Sequence, residues 1–253
     1  MSIPPLAVYL VAGRGSRLGN MTEETPKCLI SINKEPLLTR SLIQISALGV
    51  KKVILVVGYK SDVIKKEYRS SFNGMEICYV SNADWEITNN LVSFYLAFPF
   101  IDSDYILLEG DLIYTDEAIS KMVHTDSIAV SPLKPHMDGT IITKDNNDYV
   151  KMMYLKSSIV RPEKSESVYK TVNIYCFSKS NHKNFIQPSV KRLVENGSHQ
   201  SYYEQAFTTV IENNSFPIEA ITFGDQVWYE IDTEEDLKAV SYTHLTLPTI
   251  LLV

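Results

Sequence analysis

The chain has 253 residues, of which 45% are hydrophobic and 21% charged, and its net charge is −6. That length allows one large core or two small ones, and the composition is that of an ordinary globular protein. The acidic balance argues against a nucleic-acid partner, which a basic face normally marks, and no apolar run approaches a membrane span.

Taken in chain order, β-prone runs alternate with helical patterns, which predicts an α/β sheet. LAVYLV (6–11) reads as the first strand. PLLTRSLIQISALG (36–49) reads as a helix, with Pro36 in its first turn, Gly49 at its end, and Leu38, Leu42, Ile45 and Leu48 as an apolar stripe. KVILVV (52–57) is a wholly apolar strand, as a parallel sheet covered on both faces requires. A helix over 61–68, a strand over 76–80, a helix over 89–98 and a strand over 104–111 ending in acid follow, then a helix over 116–123 and a strand over 127–131. After Pro132 the pattern becomes β-rich: 139–155 predicts a hairpin turning near Asn146–Asn147, and 169–178 alternates like a strand. Helices around 181–195 and 202–213, strands over 217–223 and 227–232, and a helix capped by Thr233 with Asp236 complete the pattern. No repeat or linker divides the chain. The expectation is one domain over residues 1–239, with 132–215 elaborating one side of the sheet.

Residues 240–249, VSYTHLTLPT, back-translate to a string that resembles a transposon-end sequencing adapter. Residues 240–253 are therefore expected to be a non-native read-through tail, which leaves room for a fused domain lost by truncation. Cys28, Cys78 and Cys176 form no CxxC pair and no metal spacing. Cys78 and Cys176 sit in apolar runs and read as buried thiols, which fits a reducing cytoplasm. The N-terminus lacks the apolar core of a signal peptide.

The first strand runs into LVAGRGSRLG (10–19), where glycines leave backbone N–H groups open to phosphate oxygens and arginines add charge. The P-loop pattern GxxxxGK[ST] is absent. The dinucleotide pattern GxGxxG fails because Leu18 follows where Gly19 stands one place late, and the second strand ends in VVGYK rather than an acid. Arg17 can hold β- or γ-phosphate oxygens through its fork, and Lys27 can set a point charge on an α-phosphate. Arg14 reads equally well as an exposed loop residue.

Highly charged reactants call for a cation and for acids at strand ends. Asp111 follows the strand over 104–111; Glu230 and Asp232 lie two apart, on one face if extended. Asp232 can alternatively cap the next helix, and Asp111 can be a turn acid. Glu109 alternates with Asp111 as a weaker candidate. Asp116, Glu117, Glu234 and Glu235 read as helix-start acids.

LVAGRGSRL followed by TPKCL resembles the loop pair LxAGxGSRL and PK of sugar nucleotidyltransferases, with Val11 where alanine is usual. Over most of residues 5–239 the chain is similar to the MobA-like and sugar-1-phosphate nucleotidyltransferases. NADWEITNNLVSFYLA, EGDLIY, YKTVNIYCFS, SYYEQAF and VWYEIDTEEDL narrow the resemblance to short cytidylyltransferases acting on phosphocholine or 2-aminoethylphosphonate. The resemblance implies a Rossmann-like α/β fold, a mixed and mostly parallel sheet flanked by helices with a smaller β-rich elaboration. It implies CTP and Mg²⁺, with Asp111 and Asp232 as metal ligands, and a nucleotide bound along Leu10, Ala12, Gly13, Gly15 and Ser16. Lys170 takes the place of a second phosphate-facing lysine; a snorkelling edge lysine is the other reading.

Asn82, Asn89 and Asn90 suit a base edge, a ribose or the acceptor, or equally turn chemistry and helix capping. Tyr202, Tyr203 and Glu204 suit a cationic amine, or helix packing. Trp85 and Trp228 are further aromatic candidates, and Trp85 and Glu86 are expected beside the acceptor. The function expected is transfer of CMP from CTP to a small zwitterionic phosphate or phosphonate, releasing pyrophosphate. Two alternatives remain: a sugar-phosphate nucleotidyltransferase using another nucleotide, and a non-catalytic nucleotide-sensing module.

Overall fold

The computed structural model describes residues 3–135, 137–160, 162, 167–224 and 227–241. Its elements are β1 (Leu6–Val11), α1 (Leu37–Leu48), β2 (Lys52–Val57), α2 (Ser61–Tyr68), β3 (Met75–Ser81), α3 (Asn90–Ala97), β4 (Tyr105–Glu109), β5 (Leu112–Tyr114) and α4 (Asp116–Ser120). They continue with β6 (Ser127–Pro132), β7 (Ile141–Lys144), β8 (Val150–Tyr154), β9 (Val168–Phe177), α5 (Gln187–Glu195), α6 (Glu204–Glu212), β10 (Glu219–Thr222), β11 (Trp228–Glu230) and α7 (Glu234–Ser241).

The main sheet runs β8-β7-β9-β4-β1-β2-β3, with the short strand Ser71–Phe72 at its edge, β6 branching from β9 and β10 pairing in turn with β6. Its centre, β4-β1-β2-β3, is parallel. Beyond β4 the pairing turns antiparallel through β9, β7 and β8, so the β-rich segment after Pro132 extends the same sheet. The alternation of β1 and β2 divides their side chains between two cores. Ala7, Tyr9, Val11, Val53, Leu55 and Val57 pack with Leu38, Leu42 and Ile45 of α1. Leu6, Val8, Leu10, Ile54 and Val56 pack with Leu91 and Phe94 of α3 and Phe207 of α6.

Local sequence accounts for most element ends. Gly49 closes α1 at φ 104°, a conformation that favours glycine. Pro36 sits one position earlier than expected, as the residue preceding α1. The expected hairpin is present in β7 and β8, with its turn between Lys144 and Val150. Two expectations are corrected. The helix expected over 116–123 is α-helical only to Ser120, because the N–H groups of Lys121 and Met122 bond three residues back and tighten the last turn. The strand expected over 227–232 is short and pairs with β5 in a separate ribbon rather than joining the sheet. Cys28 and Cys176 are buried and Cys78 is half-buried. The expected read-through tail lies, from residue 242 on, outside the described residues.

Gly58, just after β2, is fixed by crowding: a Cβ there would lie 2.6 Å from Trp85 Cβ and 2.7 Å from the Ala12 carbonyl oxygen. Gly58→Ala is expected to cost about 1–3 kcal/mol through overpacking, read as a lowered thermal midpoint.

Candidate active site

Four parallel strands deliver the candidate residues to one edge. At their carboxyl ends β1 leads into the glycine loop, β2 into Gly58, β3 into Asn82 and β4 into Asp111. This is where open α/β sheets place their ligands. A cleft of about 250 Å³ opens there, lined by Leu10, Ala12, Gly13, Gly15, Asn82 and Trp85, among others. A second, of about 770 Å³, adjoins it and is lined by Lys170, Tyr202, Glu204, Glu230 and Asp232, among others. Both clefts share Arg17, Lys27, Asn90, Glu109, Asp111 and Tyr202, so those residues form the junction.

The two halves of the loop motif meet physically. Gly15 has φ 75°, and a Cβ on it would lie 2.7 Å from both Cβ and Cδ of Lys27. The missing side chain is therefore the groove along which the lysine stem runs. Its ammonium donates to Asp111 Oδ2 at 2.5 Å and to Asp232 Oδ1 at 2.7 Å. Arg17 donates to the same Asp232 oxygen at 2.8 Å, from a more exposed position. Burial lowers the Lys27 pKa, but Asp111 and Asp232 outweigh it and hold the group well above the usual lysine range. Burial likewise raises Asp232, and Lys27 with Arg17 brings it below the usual carboxylate range.

Asp232 does not cap α7. That role belongs to Thr233, whose Oγ1 accepts the Asp236 N–H at 3.2 Å, while Asp236 Oδ2 accepts the Thr233 N–H at 2.7 Å.

Three carboxylates, from Glu109, Asp111 and Glu230, have oxygens within 4.8 Å of one another. Asp111 Oδ1 is buried with no hydrogen-bond partner. An oxygen-only donor set with an orphaned buried oxygen fits a hard divalent cation. Asp232 lies outside this trio but shares Lys27 with Asp111. Burial, with Asp111 and Asp232 adding to it against Lys170, pushes Glu230 up to about 7. Burial, then Asp111, Glu204 and Glu230, raises Glu109 well above the carboxylate range. Sequence reasoning gave Glu109 little weight; its one signal is the two-residue spacing from Asp111.

Lys170 is 4% exposed; its Nζ donates to the Thr171 carbonyl oxygen at 2.8 Å and lies 3.9 Å from Glu230 Oε2. Its charge is held inside the second cleft, which an edge lysine snorkelling to water would not do. The bulge between Thr171 and Tyr175, with Asn173 at φ 60°, bends β9, and Asn173 Nδ2 donates to Glu230 Oε1 at 3.4 Å. Nothing in the sequence signalled Asn173.

Other expected residues take internal roles. Asn82 lines the first cleft, but its Nδ2 donates to Thr88 Oγ1 and Ser93 Oγ, and its Oδ1 accepts the Asp84 N–H. It pins a turn, and Asn89 caps α3. Asn90 Nδ2 donates to Glu109 Oε1, and its Oδ1 accepts the Tyr203 N–H. The expectation that the Tyr203 ring faces a ligand is corrected: the ring is buried against Phe94, Tyr175 and Phe207. Trp228 is buried in the core. Trp85 lines the first cleft, not the second, and stacks edge-on with Tyr59; Glu86 lines neither cleft. Ser16 also lies outside both, opening a short 3₁₀ turn. Tyr202 and Glu204 do line the second cleft.

A glycine loop at the head of a parallel sheet, with paired lysine and carboxylates at its mouth, defines a nucleotide-handling α/β protein. The chain belongs to the family of the MobA-like NTP transferase domain, whose model matches residues 7–159. It is 30% identical over 249 residues to the CMP-5'-(3-aminopropyl)phosphonate synthase of Streptomyces rubellomurinus, covering 95% of this chain and 39% of that enzyme. The chain therefore spans well under half of that relative's length. It is 26% identical to the 2-aminoethylphosphonate cytidylyltransferase of Lancefieldella rimae, over 95% of this chain and 94% of that one. In fold it matches the CTP:phosphocholine cytidylyltransferase of Streptococcus pneumoniae, with a TM-score of 0.77, 17% identity and coverage of 94% and 98%. The expected Rossmann-like nucleotidyltransferase fold, with its mixed and centrally parallel sheet, is thus observed. Among the described residues no helix is long and apolar enough to cross a membrane.

The ion pairs predict a pH signature. Asp232 is held low, so its stabilisation is present above about pH 4 and lost as pH falls through its folded value. Lys27 is held high, so its contribution is present below about pH 10 and lost above that. Lys27→Met is expected to destabilise by roughly 3–5 kcal/mol at neutral pH, because two carboxylates lose their shared cation. Thermal melts across pH check this: the gap from wild type narrows as pH falls below about 4.

Proposed function

We propose that the protein is a Mg²⁺-dependent cytidylyltransferase that moves CMP from CTP to a small amine-bearing phosphonate or phosphate, releasing pyrophosphate. The observation that carries the reading is the Lys27–Asp111–Asp232 contact at the junction of two clefts, one at the glycine loop and one lined by Lys170 and Glu204. An acceptor oxygen attacks the α-phosphorus in line, and pyrophosphate leaves. Lys27 and Arg17 sit where they can hold the phosphate charge, with the triphosphate in the first cleft. Lys170 faces the acceptor's phosphonate. Asp111, with Glu109, Glu230 or Asp232, would hold Mg²⁺, which supplies charge neutralisation at the phosphates. Positioning and electrostatics carry the rate, and no side chain needs to act as a nucleophile. Buried Cys28, its thiol pushed up to about 12 by burial and Asp111, is unsuited to that role.

The acceptor side favours a primary amine. Glu204 is 5% exposed, its Oε2 has no hydrogen-bond partner among the described residues, and it lines the second cleft. A primary ammonium offers three donors to that oxygen; a quaternary ammonium offers none and calls for several ring faces. Tyr202 is the one aromatic side chain among the described residues lining that cleft. The aminoalkylphosphonate relatives point the same way, by the names they carry.

Incubation with CTP, Mg²⁺ and candidate acceptors, read by pyrophosphate release, tests the reading; faster turnover of glucose 1-phosphate with another nucleotide overturns it, and so does nucleotide binding with no turnover. Asp111→Asn is expected to lower kcat by about two to three orders of magnitude with the fold intact. Burial, against a backbone hydrogen bond and Lys170, pushes Glu204 up to about 7. Acceptor KM is therefore expected to fall as pH rises through about 7, where Glu204 becomes a carboxylate. Glu204→Gln removes that limb and leaves the KM for CTP unchanged.

A further inference from the structure

Tyr202 and Glu204 enter the acceptor cleft from the start of α6, a segment distant in sequence from the phosphate loop. A closed triangle of hydrogen bonds holds it there. Asn90, the first residue of α3, accepts the Tyr203 N–H on Oδ1 at 3.0 Å. Its Nδ2 donates to Glu109 Oε1, the last residue of β4, at 3.1 Å. The Tyr203 hydroxyl donates to that same oxygen at 2.8 Å. One backbone amide and three side chains thus tie α3, β4 and the start of α6 together. The Tyr203 ring is packed by Phe94, Tyr175 and Phe207, so the hydroxyl has no soft rotation available. A second tie runs alongside, from the Asn89 N–H to the His199 carbonyl oxygen at 2.8 Å.

We propose that Asn90 and the Tyr203 hydroxyl are positioning residues that fix the acceptor-binding wall against the carboxylate cluster. The proposal rests on the transfer reading above and goes beyond it: it gives the Tyr203 hydroxyl, which lines neither cleft, and Asn90, which lines both, a distance to hold. Glu109 belongs to the carboxylate trio, and Glu204 to the acceptor wall. The triangle fixes one relative to the other. An in-line attack tolerates little error in that separation, because a displacement near 1 Å costs about a hundredfold in rate. Cutting any edge of the triangle leaves the other two as a hinge.

Tyr203→Phe deletes the hydroxyl and keeps the ring packing; Asn90→Ala removes both of its edges. Each is expected to lower kcat/KM for aminoethylphosphonate about tenfold, and in Tyr203→Phe, whose side chain lines neither cleft, the calorimetric Kd for CTP stays within about twofold. The double variant is expected to be no worse than the poorer single one, since both cut the same anchor. Amide hydrogen exchange over residues 199–206 is expected to rise in Asn90→Ala and to stay unchanged in α1. Equal losses toward CTP and acceptor, additive losses, or wild-type kinetics in both single variants overturn the proposal. A wild type inert toward every acceptor overturns the transfer reading instead; the exchange experiment then still decides whether Asn90 anchors the wall, and unchanged exchange over 199–206 overturns that too.

Discussion

The ammonium of Lys27, gripped by Asp111 and Asp232, is the contact on which the site depends. It joins three segments that meet nowhere else in sequence: the loop after β1, the turn after β4 and the link from β11 to α7. Taking three charges out of water is costly, and the attraction between them repays that cost only with good geometry. The geometry comes from an apolar base directly associated with these segments. Leu18, Ile30, Leu37, Ile113, Ile231 and Val240 form a separate small core. Hydrophobic burial thus brings the backbone segments together, and the ion pairs set their final separation.

That division of labour explains the spacing of the loop motif. Gly15, read from the sequence as opening the loop to phosphate, leaves the space that the Lys27 stem occupies. A motif that reads as two separated pieces is one packed unit. The same economy recurs on the acceptor side, where Asn90 serves three elements with one amide. Rigid parts surround a cleft whose charges are sorted: Arg17 and Lys27 stand at the junction, while Glu204 and Glu230 line the acceptor side around a single buried Lys170.

Features set by local chemistry were legible in the sequence. The alternation of strand and helix, the end of α1 at Gly49, the Thr233–Asp236 cap and the glycine loop all depend on neighbours within a few residues. The carboxylates at 109, 111, 230 and 232 were visible as acids at strand ends, but which oxygen faces which cation was not. Polar side chains carried two readings in the sequence, a ligand contact or an internal partner. Asn82, Asn90 and Tyr203 look like ligand-binding groups by residue type; each is engaged by protein atoms, and Asn82 and Asn90 also line the first cleft. A donor in a sequence carries no record of what satisfies it, and buried donors are nearly always satisfied internally. Glu204 is the informative exception: its orphaned oxygen is visible only once burial is known.

Lys27 neutralises Asp111 and Asp232, and Asp111 Oδ1 is buried with no hydrogen-bond partner among the described residues. A triphosphate entering the first cleft competes for that ammonium and for Arg17. Were the lysine to turn toward phosphate, Asp111 would be left beside Glu109 and Glu230, with carboxylate oxygens within 4.8 Å of one another and partly screened by burial from water. Like charges so arranged either take up protons or gather a cation, and Glu109 and Glu230 are already pushed toward protonation by burial and by neighbouring carboxylates. A phosphate group cannot fill that role, and Lys170, the buried lysine of the second cleft, is held by Thr171 and Glu230. In the proposed reaction, charge balance within the cleft would therefore favour a divalent cation: a nucleotide that drew Lys27 away would leave an oxygen-only set of carboxylates suited to a hard ion.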